Sequence, residues 1–347
     1  MKTAVNISVD PKVENWEMLC AAAKRHVEEF LQQAGNIINV AELSQYTTLK
    51  LSIGYLFPGT ENTLNKVGSF QNIQIIGKRI NELWIASKKD DSNTWENELL
   101  IHEALKAVIT PSVASDDTSS STRDPLDRKG NPMNFLLPAY ETMWRVVMRC
   151  LLEIRYRGAE NGQAWSRILR DYIDNLQDSG VVSTFRSPGQ NGTSALDIVK
   201  EALRLYPPSR RIHREFDSGA QRIDIEKIHR SKLLGQDDPL VFRPERWQSI
   251  GAEFRPPQVA VDDEVAKTRL RELEEELGFM PFAFRCPAGK GETRGFGWKM
   301  IALLVGVISD GLDSDWELKN GGALPQIGTP LASDREAYTD LELKRRT

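Results

Sequence analysis

Three cysteines in 347 residues are few, and Cys20, Cys150 and Cys286 lie far apart in the chain. A disulfide framework is therefore excluded; the odd, sparse count fits a reducing compartment and leaves at least one thiol to explain. Long apolar runs are missing too. The longest, Met300 to Ile308, falls far short of the ~20 residues a membrane-spanning helix needs. Met1 to Pro11 lacks the apolar core of a signal peptide, so a soluble chain is expected. Nor is positive charge in excess: 45 Lys plus Arg against 49 Asp plus Glu leave a formal charge of −4 and a pI near 5.8. That balance argues against nucleic-acid binding, which wants a basic face. No internal repeat and no clean domain boundary stand out, so a single domain over residues 1–347 is expected.

What remains is enough apolar material, 40% of the residues, to build a core and exclude wholesale disorder. Apolar residues at helical spacing predict helices over Glu14–Gln33, Asn39–Leu56, Ser69–Ser87, Thr94–Ile109, Phe135–Tyr156, Trp165–Leu176 and Ala195–Leu205. The polar, Ser-rich stretch 113–131 predicts a mobile surface loop. Ile212 to Ile225 alternates as short strands do. Asp262 to Leu277 holds seven acids and three bases, expected as a solvated helix face. Trp298 to Ile308 is apolar nearly all round, hence a buried helix, and 313–347 mixes strand-like runs with turns. The fold class expected is mainly α with small β-sheets.

Four short motifs carry chemistry. Cys286 sits in Phe-Met-Pro-Phe-Ala-Phe-Arg-Cys-Pro-Ala-Gly. A lone cysteine is ordinarily a small buried hydrophobe. Here a helix follows, and its dipole with Arg285 and Lys290 favours the thiolate, a soft and electron-donating metal ligand. No second Cys or His lies nearby, so zinc and iron–sulfur sites are poorly supported, whereas a single thiolate suffices for haem iron. The second motif is Glu201-Ala-Leu-Arg204, an i,i+3 pair that is commonplace alone. The third is Phe242-Arg-Pro-Glu-Arg-Trp247, whose Arg246 can reach the carboxylate that already holds Arg204. The fourth is Pro138-Ala-Tyr-Glu-Thr142. There an acid and an alcohol are adjacent where Pro138 disturbs the helical ladder and Ala139 leaves room. Structural readings stand beside it: Glu141 can pair with Arg145 at i+4, and Thr142 can bond the Pro138 carbonyl.

In this order the four resemble the haem-thiolate monooxygenases, the cytochrome P-450 superfamily, in wording similar to its filamentous-fungal members. The resemblance runs from about Val40 to the end and is densest over Lys200 to Ile308. It implies haem as cofactor with Cys286 as the axial iron ligand, beside Arg285 and the Phe279 that opens the Cys motif. It implies a structural triad of Glu201, Arg204 and Arg246, and a distal acid–alcohol pair of Glu141 and Thr142 next to Ala139. Arg214 matches an arginine that meets a haem propionate. Dioxygen, a small hydrophobic metabolite and a flavoprotein reductase are the partners implied; Arg285, Lys290, Arg294 and Lys299 against Glu292 offer the reductase a basic patch. The chain is expected in the cytoplasm or peripheral to the endoplasmic reticulum.

The sequence departs from the family in two places. Phe282, Phe284 and Ala288 stand where the Cys motif has Gly, Arg and Gly. Trp95-Glu-Asn-Glu-Leu99 has Leu where a propionate-gripping Arg is wanted, so a chain that begins after the usual β-rich segment and early helices is expected. Two other functions fit the same motifs: a haem protein catalysing a non-oxygenating rearrangement or cyclisation, and a haem-free helical scaffold that binds a partner.

Overall fold

The computed structural model describes residues 15–87, 94–110, 123–180, 183–189, 191–216, 219–260, 263–283 and 295–346. The first helix, α1 (Trp16–Ala34), starts where Asn15 accepts a hydrogen bond from the Met18 N–H, the side-chain cap that supplies one orphan donor with a partner. A short strand, β1 (Ile37–Asn39), leads into α2 (Val40–Leu56), capped in the same way by Asn39. The turn α3 (Glu61–Leu64) precedes α4 (Ser69–Ala86) and α5 (Leu99–Ile109). Then come α6 (Met133–Leu136), α7 (Trp144–Arg155), α8 (Gly162–Ser179) and α9 (Ala195–Leu205). Strands β2 (Arg211–Phe216) and β3 (Gly219–Asp224) form a hairpin. It is followed by α10 (Ile225–His229), α11 (Lys232–Gly235), α12 (Glu264–Glu276) and α13 (Phe296–Gly311). Strands β4 (Trp316–Leu318) and β5 (Glu342–Arg345) close the chain. The fold is mainly helical with small antiparallel sheets, as the sequence pattern implies.

The core gathers around α13, whose residues Met300 to Ser309 are all buried and which packs against α1, α7, α8 and α9. Such a helix has no polar face to spare, so neighbours must enclose it. A three-stranded sheet, ordered β1–β5–β4 with Ile38, Leu343 and Leu318 in register, ties the two ends of the described chain together. Among the described residues no helix is long and apolar enough to cross a membrane.

One local expectation changes. Phe135 to Tyr156 is not one helix: a π turn at Leu137–Glu141 separates α6 from α7, because Pro138 cannot donate to the ladder. The acidic run forms a helix with the solvated face expected of it, and the opposite face of α12 buries Ala266, Leu270 and Glu274. Glu274 turns inward because the buried Lys200 ammonium donates to it. Of the Ser-rich stretch 113–131, residues 113–122 lie outside the described residues. Beyond them, Arg123 donates to the Ile109 carbonyl at 2.8 Å and the Trp95 indole donates to the Pro125 carbonyl at 2.7 Å.

Close helix packing around α13 makes one position testable. A Cβ at Gly306 would lie 2.8 Å from the Ile173 methyl and 3.1 Å from the Leu169 carbonyl of α8. Gly306→Ala gains about 1 kcal/mol in helix propensity, yet overpacking costs about 1–3 kcal/mol. With a backbone atom among the clashing partners, the variant is expected to be less stable, read as a lower urea midpoint; a higher midpoint would contradict this packing.

Candidate functional site

Glu201 is the hub. It lies on α9, a helix started by a capping box in which the Ser194 side chain accepts from Asp197 N and the Asp197 carboxylate accepts from Ser194 N. The Glu201 and Arg204 side chains are fully buried. Arg204 grips the carboxylate with two parallel bonds, Nε to Oε2 at 2.9 Å and Nη2 to Oε1 at 2.8 Å. Arg246 donates from Nε to Oε1 at 2.9 Å, the Arg243 backbone N–H to Oε1 at 2.9 Å, and the Trp247 indole to Oε2 at 3.0 Å. Burial by itself would raise the Glu201 carboxyl pKa, but Arg204, Arg246 and the Arg243 N–H hold it below the usual range. The remaining guanidinium donors find carbonyls. Arg204 donates to His229, Pro239 and Val241, while Arg246 donates to Gly235, Asp238 and Val241. The Arg246–Asp238 ion pair at 3.0 Å adds the second carboxylate. The structure thus brings the three triad residues together and locks α9 against 235–247.

That network reaches the Cys motif through rings. Trp247 packs on Phe279 with centroids 4.7 Å apart, and His229 and Trp298 lie 5.3 and 5.9 Å from the same ring. The Met280 N–H donates to His229 Nε2 at 3.0 Å, so the neutral imidazole carries its proton on Nδ1. The Ser209 N–H donates to the Pro281 carbonyl at 3.1 Å. Phe279 is therefore held by three rings, immediately before the segment that carries the thiol. Arg285 and Cys286 themselves lie outside the described residues. Beyond them Gly295, at φ +91°, opens α13, a conformation that favours glycine.

The helix break holds Ala139, Glu141 and Thr142. Ala139 and Thr142 are half-buried, and the Thr142 hydroxyl donates to the Pro138 carbonyl at 2.8 Å. Glu141 is buried and committed: Oε1 accepts from Arg145 and Arg335, and Oε2 from the Trp144 indole at 3.0 Å. The two guanidiniums also cap rings, Arg145 over Trp144 at 4.4 Å and Arg335 over Trp84 at 4.1 Å. Acid and alcohol are neighbours in the chain, but each has a structural partner of its own. Arg214 stands exposed on β2 opposite Gln221, remote in sequence from these contacts.

Several contributors were not singled out by sequence. Trp247 was visible inside its motif, but its bond to Glu201 was not. His229 and Arg335 are isolated in sequence and carry no local signal. Gly235 belongs with them: a Cβ there would lie 2.3 Å from Pro239, in the loop whose carbonyls satisfy both triad arginines.

No protein-family model matches the chain, and no curated protein does. Solved structures similar to it include a retinoic-acid-bound cyanobacterial CYP120A1, at 16% identity and TM-score 0.44, covering 96% of this chain and 75% of that one. Another is the haem domain of a cytochrome P450DA mutant, at 13% identity and TM-score 0.49, covering 96% and 71%. A third is ligand-free cytochrome P450 OleT, at 12% identity and TM-score 0.40, covering 95% and 73%. Likenesses with TM-scores below 0.5 assign neither family nor activity.

Two outcomes follow from this geometry. Glu201→Gln keeps the shape but leaves the buried Arg204 guanidinium without a carboxylate and Arg246 with Asp238 alone, so a loss of about 3–5 kcal/mol is expected in urea unfolding; a loss below about 1 kcal/mol would show that the network is not the lock. His229 is pushed down to about 4, first by burial and then by Arg204. Its unfolded value is higher, so the unfolded chain binds the extra proton between pH 6.5 and 4 and stability falls as pH drops through that window. The contribution is on the order of 3 kcal/mol. His229→Gln should flatten the fall in unfolding free energy across this range, and an unchanged slope would remove His229 from the account.

Proposed function

We propose that this chain is a haem-thiolate oxidoreductase acting on a small hydrophobic metabolite with dioxygen and electrons from a flavoprotein reductase. The observation that carries this reading is the buried Glu201 carboxylate, shared by Arg204, Arg246 and Trp247 and joined through Phe279 to the Cys286 segment. The order of the four motifs, similar to that of fungal members of the family, supports it further.

The chemistry of the candidate ligands fits haem. Burial raises the Cys20 thiol to about 11 and raises Cys150 as well, so both are inert core residues. Cys286 is left as the candidate thiolate. Phe279 and Phe282 precede segment 284–294 in the chain and Phe296 and Trp298 follow it, all four packing in or against the core, so the segment that carries Cys286 is bounded by apolar side chains in sequence. Cys286 would hold the iron, and Arg214 is free in solvent to meet a propionate.

When bound, haem supplies the activation of oxygen, favoured by electron density from the thiolate. The residues here bind and handle protons. The Thr142 hydroxyl, now donating to Pro138 O, would turn its proton toward the distal side. Glu141 beside it accepts from Arg145, Arg335 and the Trp144 indole, so its part would be to hold the turn that presents Thr142. This commitment favours one second reading, a haem protein that rearranges or cyclises its substrate without oxygenation. Thr142→Ala separates the two, because it should cut oxygenated product at least tenfold in the first and leave turnover intact in the second.

The expected spectrum is a thiolate-shifted Soret band when the reduced protein, expressed with hemin, meets carbon monoxide. Cys286→Ser should abolish that band. A haem-free wild-type protein, or a band unchanged in the variant, would overturn the proposal.

A further inference from the structure

A small, partly enclosed cavity lies where the 3-10 turn Ser183–Arg186, the starts of α9 and α12 and the segment 254–260 meet. Its volume is about 30 Å³. One ordered water needs about 10–15 Å³, so there is room for a compact ion and little more. The walls carry three cations, Arg186, Arg255 and Lys267, against one carboxylate, Asp263. Phe254 and Leu270 are among the apolar groups that complete the lining, and such walls strengthen any charge pairing inside.

The three cations differ in how far they are already compensated. Lys267 pairs with Glu264 at 2.7 Å. Arg255 donates from Nη1 to Asp197 at 2.8 Å and from Nε to the Ile250 carbonyl at 3.1 Å. Its buried Nη2 has no hydrogen-bond partner among the described residues and stands 3.5 Å from Glu274. Arg186 is left over: among the described residues no hydrogen bond or ion pair reaches its half-buried guanidinium. Burial pushes its pKa down, and Arg255 adds to the effect against the more distant Glu274, Glu264 and Asp197. The nearby acids are committed. Asp263 accepts from the Val265 and Ala266 N–H groups at 2.9 Å, Asp197 from Ser194 and Arg255, and Glu274 from Lys200. Both helix starts are thus capped from within, and what the cavity offers is guanidinium donors.

We infer that this cavity binds a compact oxyanion of the phosphate class, held by Arg186 and by the unbonded Nη2 of Arg255, with Lys267 adding charge. A planar guanidinium presents parallel donors that match two oxygens of one anion, a geometry a spherical halide cannot use. Occupied, the site would join the turn at 183–186, α9 and α12 through one ion. Helix α12 leads into the seat of Phe279, whose N–H donates to the Glu274 carbonyl at 2.8 Å, so the ion would brace the approach to the Cys286 segment. Neither the site nor its test involves haem, and a colourless protein leaves both intact.

Calorimetric titration of the full chain, with sodium phosphate replacing sodium chloride at constant ionic strength, tests the site. Saturable binding of one equivalent is expected, together with a urea midpoint that rises with the logarithm of phosphate concentration. Arg186→Gln should weaken the affinity about tenfold or more. Because no partner of Arg186 is left behind, the same variant in phosphate-free buffer should unfold at no lower urea concentration than the wild type. No saturable binding, an unchanged affinity in Arg186→Gln, or a midpoint already lowered without phosphate would overturn the inference. An equal rise of the midpoint with chloride would overturn it too. Phenyl phosphate assigns the source: affinity equal to that of phosphate supports the phosphate end of a larger molecule entering by the open side, and exclusion of the ester supports the free ion.

Discussion

A fully buried carboxylate is costly unless every lone pair is used, and the constraint imposed by Glu201 organises much of this molecule. Its five donors come from α9 itself and from 243–247. Those donors in turn draw the carbonyls of 229–241 inward. Once that loop is fixed, Trp247 has a fixed ring, Phe279 has a floor, and the entry to the Cys286 segment has one position. A single charge thus sets the geometry of residues far from it in sequence.

The same economy appears at the helix break. A backbone donor is missing at Pro138, where the π turn lies, and one turn later the Thr142 hydroxyl donates to the Pro138 carbonyl. Glu141 then ties the break to α4 and to the C-terminal segment through Arg145 and Arg335, with Asn81 also accepting from Arg145. Arg149 continues the tie by donating to the carbonyls of Ala332 and Asp334. Buried arginines hold the last part of the chain against the core, where a longer sheet would otherwise be needed.

Much of the helical framework was legible because amphipathic spacing is a local signal, as over Asn39–Leu56 and Ala195–Leu205. The hairpin at 211–224 was legible from alternation. The triad was legible because its members sit inside short motifs. What escaped had no local signature. Glu274 reads as one acid among many, and only the distant Lys200 turns it inward. His229 and Arg335 act through partners more than fifty residues away. Trp247 was in view as a letter, but its hydrogen bond is a property of the packed loop.

The account turns on whether the sulfur of Cys286 is bonded to haem iron. Electron paramagnetic resonance of the ferric protein, purified after expression with hemin, tests that bond most directly. A low-spin thiolate-ligated signal in the wild type that disappears in Cys286→Ser is the result predicted here. A wild-type protein without iron, or a nitrogen-ligated signal indifferent to the substitution, would contradict it.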